Sequence, residues 1–323
     1  MDIRRILVAV ADCAAKPSPA LGKAVILARK TSATITLFHS LYSPEIAGES
    51  LLSPEVLPRD IEAAVRARKQ QLEGIAKLLA VEDLRIRIRV RWDYPVHESI
   101  VREALREKSD LVVAESHRHT RLARVVLSNT DWQLIRLCPV PVLFVKTARP
   151  YERARVLAAI DPLHAHAKPA ALDADILAAA QQLAEAFNGR LHAIHVYQLA
   201  TPFTSGVLME PVPLPIDVAA RQLERIRREF DSLVGPYGLP PRRRHLRAGQ
   251  AAGEIVAAAE RIEAGVVVMG AVSRSGLKRL FVGSTAERMI DHLGCDVLVL
   301  KPAGFKSPVS RRSSYRPVVL PPI

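Results

Sequence analysis

The sequence contains few cysteines, few aromatic residues and no long apolar run. Its three cysteines, Cys13, Cys138 and Cys295, lie far apart, so no disulfide framework is expected and a reducing, cytoplasmic compartment is favoured. No apolar run approaches the roughly 20 residues of a membrane span. The first residues also lack the order of charge, apolar stretch and cleavage site that is typical of a signal peptide. These absences predict a soluble protein of the cytoplasm without a membrane span.

Basic residues outnumber acidic ones, 46 to 33, which gives a formal net charge of +13. This charge favours anionic partners, but aromatic residues make up only 5% of the chain, so no interleaved aromatic set could stack nucleic-acid bases. Alternating basic residues are typical of an edge strand with one face in solvent. We therefore interpret them as solvated edges and expect no nucleic-acid partner. They are Arg85, Arg87, Arg89 and Arg91 on one predicted strand, and 242–244 beside another.

The chain contains an internal repeat. When it is shifted by 155 positions, residues 97–146 align with 252–301 without a gap. A repeat of this length indicates two copies of a whole domain rather than a solenoid of short units. We expect one domain over 1–148 and a second over 152–303. A Pro/Ser/Arg-rich tail over 304–323 is expected to lie on the surface or to be disordered.

Within each copy, short β-like runs alternate with amphipathic helical runs. This pattern is typical of βαβ units in a parallel sheet and predicts an α/β fold, with a three-layer α/β/α sandwich in each half. The junction between the halves is short, so we expect them to pack together. The predicted strands are 4–10, 34–39, 85–91, 110–114, 141–145, 154–160, 190–196, 242–247, 265–269 and 296–300. The predicted helices are 18–31, 56–80, 96–108, 129–137, 169–187, 217–234, 252–263 and 284–293.

The segment Val266–Lys301 is the clearest candidate for a ligand site. An apolar run at 266–269 predicts a buried strand, a loop rich in small and basic residues follows, and Gly283-Ser284-Thr285 opens an amphipathic helix. Free backbone N–H groups and the helix dipole converge at such a point, which favours phosphate binding. The alternative interpretation is that the glycines serve turns and that Ser284 caps the helix.

The pattern G-x2-S-x9-G-S-T, which begins at Gly270 and ends at Thr285, resembles the nucleotide-binding motif of the universal stress protein family, Gly-x2-Gly-x9-Gly-Ser/Thr. With two such halves, the chain resembles the tandem, two-domain E-type branch of that family over residues 3–307. The resemblance implies two tandem α/β/α sandwiches, each with a five-stranded parallel sheet of order 3-2-1-4-5, like the adenine nucleotide alpha hydrolases. It places a ligand outside the carboxyl ends of the first and fourth strands, where the strand order reverses.

The resemblance further implies a stress-response regulator that binds ATP or a related adenine nucleotide in the second half, with Mg²⁺ if ATP is bound. At most such a protein would be a slow ATPase, and no Gly-x4-Gly-Lys-Ser/Thr loop is present. The halves would form an intrachain pseudo-dimer through 142–145 and 297–300, and pairing of two chains as a homodimer is left open. The implied nucleotide-binding residues are Asp161, Val196, Met269, Gly270, Ser273, Arg274, Gly283, Ser284 and Thr285.

The two copies differ in this motif. In the second half Ser273 stands where the family has glycine, which would permit positive φ and close approach of the backbone to phosphate. In the first half bulkier side chains, which would obstruct a nucleotide, occupy the motif. They are Glu115, Arg118, Ser128 and Asn129. The alternative function is therefore a ligand-binding or scaffold protein with degenerate nucleotide sites, which holds a lipid-like small molecule or a protein partner.

Several histidines suggest metal or structural roles. Two H-x-H pairs can each supply two ligands, but zinc needs a third and usually a fourth, so we assign no metal site. The pairs are His117/His119, near Asp93, His97 and Glu115 in sequence, and His164/His166 beside Asp161. His39 and His195 end equivalent predicted strands, and for them we predict a structural role.

Overall fold

The computed structural model describes residues 2–13, 18–43, 57–79, 84–116, 129–163, 171–198, 216–271 and 289–313, together with Ile46. Its strands are β1 (Arg5–Ala9), β2 (Thr34–Leu41), β3 (Ile86–Trp92), β4 (Leu111–Glu115), β5 (Val142–Val145), β6 (Arg155–Ala159), β7 (Arg190–Tyr197), β8 (Arg244–Ala248), β9 (Ala264–Gly270) and β10 (Asp296–Leu300). Its helices are α1 (Pro19–Thr31), α2 (Leu57–Leu79), α3 (Val96–Arg106), α4 (Asn129–Leu137), α5 (Ala171–Ala186), α6 (Ile216–Val234) and α7 (Ala251–Arg261).

Every predicted strand is present, and no strand end is displaced by more than two residues from its expected position. The predicted helices agree equally well, except that the last, 284–293, lies largely outside the described residues; its end at 289–292 is helical. None of the helices in the described ranges is both long and apolar enough to cross a membrane.

The ten strands form one continuous sheet in the order β3-β2-β1-β4-β5-β10-β9-β6-β7-β8. Each half therefore has the predicted order 3-2-1-4-5. Neighbouring strands are parallel except at the centre, where β5 and β10 pair antiparallel with Leu143 opposite Leu298. The predicted contact between 142–145 and 297–300 is thus observed.

The repeat is also visible in the backbone. Ser32 and Asn188, which stand 156 positions apart just beyond the ends of α1 and α5, both adopt the left-handed conformation, with φ of 53° and 49°. Lys108 and Glu263, which stand 155 positions apart, do the same after α3 and α7, with φ of 49° and 48°. A left-handed residue commonly ends a helix, so both halves turn from helix into strand in the same way.

Two apolar clusters form the core, one on each face of the sheet, and both extend through the two halves. The first includes Leu27 of α1 and Ile176 of α5. The second includes Val101 of α3 and Ile290, near the last strand. Because equivalent helices lie on the same face while β5 and β10 run antiparallel, the halves are related by a pseudo-twofold axis perpendicular to the sheet. The carboxyl ends of their parallel strands consequently lie at opposite edges of the sheet.

A buried ionic network crosses the junction at Asp296, the first residue of β10. Its carboxylate accepts hydrogen bonds from Lys23 Nζ and from the Tyr151 hydroxyl. It also accepts the backbone N–H groups of Lys146 at 2.9 Å and Thr147 at 3.1 Å. Burial lowers the pKa of Lys23, and the Asp296 carboxylate opposes that shift. The network joins the first half, the linker and the second half.

A second contact also crosses the junction with its donor in the first half. Lys146, the residue after β5, donates from Nζ to the carbonyl oxygens of Ile290 at 2.7 Å and Leu293 at 2.5 Å. A cation at the carboxyl end of a helix satisfies free carbonyl groups and interacts favourably with the helix dipole. A lysine of the first half therefore caps the last helix of the second half.

The arginines of β3 lie on an edge strand and are exposed as predicted, but three of them are also paired. Glu103 and Glu107, at the end of α3, lie over this strand. Arg91 binds Glu103 at 3.2 Å, and Arg89 binds Glu107 at 2.9 Å. Arg87 lies 3.5 Å from Glu107. The carboxyl group of Glu103 is fully buried, which explains why the strand needs arginine beneath it.

Part of the tail, which was expected to lie on the surface or to be disordered, packs on the first half. Val309 is buried in the cluster that contains Val101. Ser313 Oγ donates a hydrogen bond to Asp93 Oδ1 at 2.5 Å. Residues 304–313 are therefore anchored across the face that α3 and α4 cover, whereas 314–323 lie outside the described residues.

Candidate functional site

The strand order of the second half reverses between β6 and β9. In open α/β sheets a ligand cleft forms at the carboxyl ends of the strands at such a point. Asp161 follows β6, Val196 lies near the end of β7, and Met269 and Gly270 end β9. The structure thus brings four of the predicted binding residues to one edge of the sheet. The other five lie outside the described residues: Ser273, Arg274, Gly283, Ser284 and Thr285.

Asp161 carries the clearest polar signal in this cleft. Its Oδ2 atom is buried and has no hydrogen-bond partner among the described residues, although its side chain as a whole is 20% exposed. Its Oδ1 atom lies 3.9 Å from Nδ1 of His195. A buried carboxylate oxygen without a donor is costly. This atom is therefore a candidate acceptor for a hydrogen bond from a ligand.

Asp173 positions the backbone that carries this carboxylate. It is fully buried in the first turn of α5, where a negative charge is favourable near the helix N-terminus. Its Oδ1 accepts the backbone N–H of Asp161 at 3.0 Å. Sequence reasoning missed this residue. The available signal was an acidic residue in the first turn of the helix that follows the candidate strand.

His195 and His39 hold equivalent positions and make equivalent contacts. Nδ1 of His195 lies 3.1 Å from the carbonyl oxygen of Ile160, and Nδ1 of His39 lies 2.8 Å from that of Val10. Because a carbonyl only accepts, Nδ1 is the protonated nitrogen in each ring. Each histidine ties its strand to the loop after the neighbouring strand, so the predicted structural role is confirmed.

Gly270 has a packing reason for lacking a side chain. A Cβ atom there would lie 2.7 Å from Cδ2 of Leu172 and 3.2 Å from Cδ1 of Ile176, both on α5. The side chain of Met269 is 5% exposed and belongs to an apolar cluster. At these two positions only the backbone is available to a ligand.

The equivalent cleft of the first half is chemically different. Glu115 holds the position of Gly270 and is the half-buried last residue of β4. Its negative charge opposes the burial that lowers the pKa of Lys23. The next residue, Ser116, donates from Oγ to Oδ2 of Asp131 at 3.3 Å. Asn129 opens α4, whereas Arg118 and Ser128 lie outside the described residues. A carboxylate at this edge repels the phosphates of a nucleotide.

The histidine pairs His117/His119 and His164/His166 lie outside the described residues. Asp93, which was considered with the first pair, is bound on both carboxylate oxygens by Arg102 at 2.9 Å. In the described ranges, no group of three or more histidine, cysteine or acidic residues could hold a metal ion.

A cavity of about 370 Å³ lies between α5 and α6. It adjoins the cleft through Pro162, the residue after Asp161, but contains none of the predicted binding residues. A volume of this size suits a small organic molecule. The lining residues are Pro162, Ala174, Glu229, Ser232, Leu233, Pro236 and Tyr237.

Comparison with known proteins gives a consistent result. The sequence model of the universal stress protein family matches residues 2–146 and 152–301. Universal stress protein E of Escherichia coli K12 is 31% identical over 311 residues, which cover 96% of this chain and 98% of that protein. The corresponding protein of Photorhabdus laumondii is 28% identical over 305 residues, which cover 94% and 96% of the two chains.

Solved structures agree with the sequence matches. A crystal structure from Pseudomonas aeruginosa UCBPP-PA14, assigned to the universal stress proteins, is 27% identical with a TM-score of 0.73, and the match covers 93% of this chain and 94% of that chain. A universal stress protein of Archaeoglobus fulgidus, 19% identical with a TM-score of 0.56, shares the fold over 92% of this chain and 98% of its own. The chain belongs to the universal stress protein family and carries two domains of that family in tandem.

Proposed function

We propose that the protein is a stress-response regulator that binds ATP or a related adenine nucleotide in the cleft of the second half. The observation that carries this proposal is the buried Oδ2 atom of Asp161, which has no donor among the described residues. It lies where the strand order reverses, the usual position of a nucleotide in an open α/β sheet. The family resemblance assigns the same residue to the adenine or ribose side.

In this proposal Asp161 accepts a hydrogen bond from a ribose hydroxyl or from the adenine amino group. The backbone of Val196 borders the adenine, and the backbone of Gly270 borders the ribose. The phosphates extend toward the segment 273–285, whose Gly-Ser-Thr sequence suits an anion at a helix N-terminus. When ATP is bound, Mg²⁺ neutralises phosphate charge; hydrolysis is at most slow, so the ligand regulates rather than serves as a metabolic substrate.

We further propose that the protein acts in the cytoplasm and pairs with a second copy or another partner when nucleotide is bound. The three cysteines are free and buried, which is typical of a reducing compartment. Because the two clefts lie at opposite edges of the sheet, a ligand in the second half would alter only the loops at its own edge. A partner that responds to nucleotide would therefore contact that edge.

Equilibrium titration with ATP tests this proposal. We expect saturable binding to the full chain and a loss of about tenfold in affinity for Asp161→Asn, because the amide keeps the size of the side chain but removes its charge. Asp12→Asn, a change near the end of β1 in the first half, is the matched control and should bind as the wild type does. Absence of saturable binding, or equal affinities of wild type and Asp161→Asn, would contradict the proposal.

The cavity between α5 and α6 supports the second candidate, a protein that holds a lipid-like small molecule with the nucleotide site degenerate. Native mass spectrometry of freshly purified protein distinguishes the two candidates. A co-purified nucleotide mass supports the first candidate. A lipid-like mass that is present in the wild type and absent in Ala174→Phe supports the second. Ala174 lines the cavity, so filling it blocks that ligand without touching Asp161.

A further inference from the structure

We infer that the second half contains an oxyanion site along the edge strand β8, where Arg243, just before the strand, and His245 and Arg247, on it, bind a phosphate or sulfate group. This site goes beyond the proposed nucleotide cleft. It lies over one face of the sheet between β8 and α7, whereas Asp161 lies in the loop after β6. The ligand is the phosphate of a small molecule or free inorganic phosphate.

The first half shows how cations at the equivalent positions are neutralised. Phe38 of β2 pairs with Arg89, and the equivalent Ile194 of β7 pairs with His245. Arg243, His245 and Arg247 therefore stand where the first half has Arg87, Arg89 and Arg91. In the first half these arginines are bound by two carboxylates from α3.

The second half has lost both carboxylates. The residues 155 positions after Glu103 and Glu107 are Ala258 and Ile262, on and just after α7. The cations of the edge strand were kept, and the groups that neutralise them were replaced by apolar side chains. Arg243 and Arg247 therefore lack the two carboxylates that bind their counterparts in the first half, and Glu254, an acid of α7, lies against Gly249 just after the strand.

Arg243 and Arg247 have buried donor atoms without a partner among the described residues. The Nε atoms of Arg243 and Arg247 are buried and have no hydrogen-bond partner, and neither residue forms an ion pair within the described part of the chain. Arg244, which points to the opposite face, is satisfied by the Leu239 carbonyl at 2.7 Å and Asp231 at 3.0 Å. Unpaired buried donors are rare and mark the place of an absent acceptor. A tetrahedral oxyanion matches the planar fork of a guanidinium.

Two histidines extend the site toward the sheet interior. Nδ1 of His192 lies 3.0 Å from Nε2 of His245, and the two rings stack with centroids 5.3 Å apart. Burial, followed by the charge of His245, lowers the pKa of His192 to about 4. Burial also lowers the pKa of His245, with further effects of Arg247 and Arg261. The charged groups that face the pair are Arg155, Arg190, Arg243, Arg247 and Arg261; Glu263 pairs with Arg155.

The helix that covers this face favours a small anion over an extended polymer. At the two positions from which α3 projects carboxyl groups in the first half, the second half has Ala258 and Ile262. One phosphate group supplies a comparable number of acceptor oxygens. The ligand thus takes the place of the missing glutamates.

Isothermal titration of the full chain with inorganic phosphate, in a buffer free of other oxyanions, tests the site. We expect saturable binding that falls at least about tenfold in the double variant Arg243→Gln/Arg247→Gln. Arg87→Gln, at the equivalent position of the first half, is the matched control and should keep wild-type affinity. Unchanged affinity in the double variant, or no phosphate binding by the wild type, overturns the proposal.

A second variant supplies the missing carboxylate from within the chain. Ile262→Glu places an acidic side chain where Glu107 lies in the first half, so it should compete with phosphate and abolish binding. If Ile262→Glu binds phosphate as tightly as the wild type does, the proposed location of the site is wrong. Gly283→Asp, which places a carboxylate in the segment proposed to bind the nucleotide's phosphates, should bind inorganic phosphate normally, which separates this site from the nucleotide cleft. A phosphomonoester that binds more tightly than inorganic phosphate identifies a phosphorylated small molecule as the ligand; equal affinities identify free phosphate.

Sulfate provides the pH test because it does not titrate near neutrality. A bound anion raises the histidine pKa values, so protons are taken up on binding and affinity rises as the pH falls. We expect several-fold tighter sulfate binding at pH 5.5 than at pH 8. In His245→Asn this dependence should be largely lost. If the affinity of the wild type for sulfate does not change with pH, the histidines are not part of the site.

Discussion

Replacing Asp296 by asparagine is expected to lower the free energy of unfolding by about 3–5 kcal/mol. The carboxylate is fully buried and receives Lys23, Tyr151 and two backbone N–H groups. The neutral amide cannot balance the buried charge of Lys23, and its NH₂ group cannot accept the hydrogen bonds that one carboxylate oxygen accepts. Urea denaturation of the two proteins measures the difference.

A double variant tests whether Lys23 and Asp296 stabilise the protein by interacting with each other. Lys23→Met alone should also be strongly destabilising, whereas Lys23→Met/Asp296→Asn should lose clearly less than the sum of the two single changes. Asp217→Asn is the control, because its pair with Arg221 is exposed and should contribute less than about 1 kcal/mol. Additive losses in the double variant would show that the two charges do not interact across the junction.

Gly189→Ala is expected to destabilise the protein by about 3 kcal/mol or more, as a steric clash with backbone cannot relax cheaply. A Cβ atom at Gly189 would lie 1.9 Å from the carbonyl oxygen of Ala154. That oxygen already accepts the N–H of Arg190 at 3.1 Å, at the point where β6 and β7 begin to pair. The linker turn must therefore move before any side chain can enter. Thermal and urea denaturation both report the loss.

Gly74→Ala is the matched control and should stabilise the protein rather than destabilise it. Gly74 lies inside α2, and a Cβ atom there would meet nothing within 4 Å. Alanine in a helix interior is favoured over glycine by about 1 kcal/mol. Equal effects of the two substitutions would show that the close approach at Gly189 does not exist in solution.

Periodicity predicted the fold because each half obeys simple local rules. Buried runs such as 266–269 are too short for helices, and the helices between them are amphipathic. The contact of β5 with β10 followed from the family resemblance rather than from local pattern, and its antiparallel direction was not predicted. The network at Asp296 could not be predicted, because Lys23, Tyr151 and Asp296 are distant in sequence and nothing local indicates that they meet.

The candidate site was predictable only in part. The edge of the sheet and Asp161 followed from the family resemblance. The packing of Leu172 against Gly270 did not, since a glycine at a strand end fits a ligand contact and a helix contact equally well. Arg243 was interpreted as solvated, and Arg247 was not identified from the sequence. Only the loss of Glu103 and Glu107 from the second copy distinguishes them from the paired arginines of β3, and that distinction depends on which residues share a face.

The central strand pair also determines how the molecule can move. A clamshell protein closes over its ligand by rotating one lobe about a flexible hinge. Here three kinds of contact would have to break first: the β5–β10 ladder, the ion pair of Lys23 with Asp296, and the cap that Lys146 places on the last helix. Rotation about the linker is therefore blocked. A signal that originates in one cleft must reach a partner through the shape of its surrounding loops, while the two lobes stay fixed.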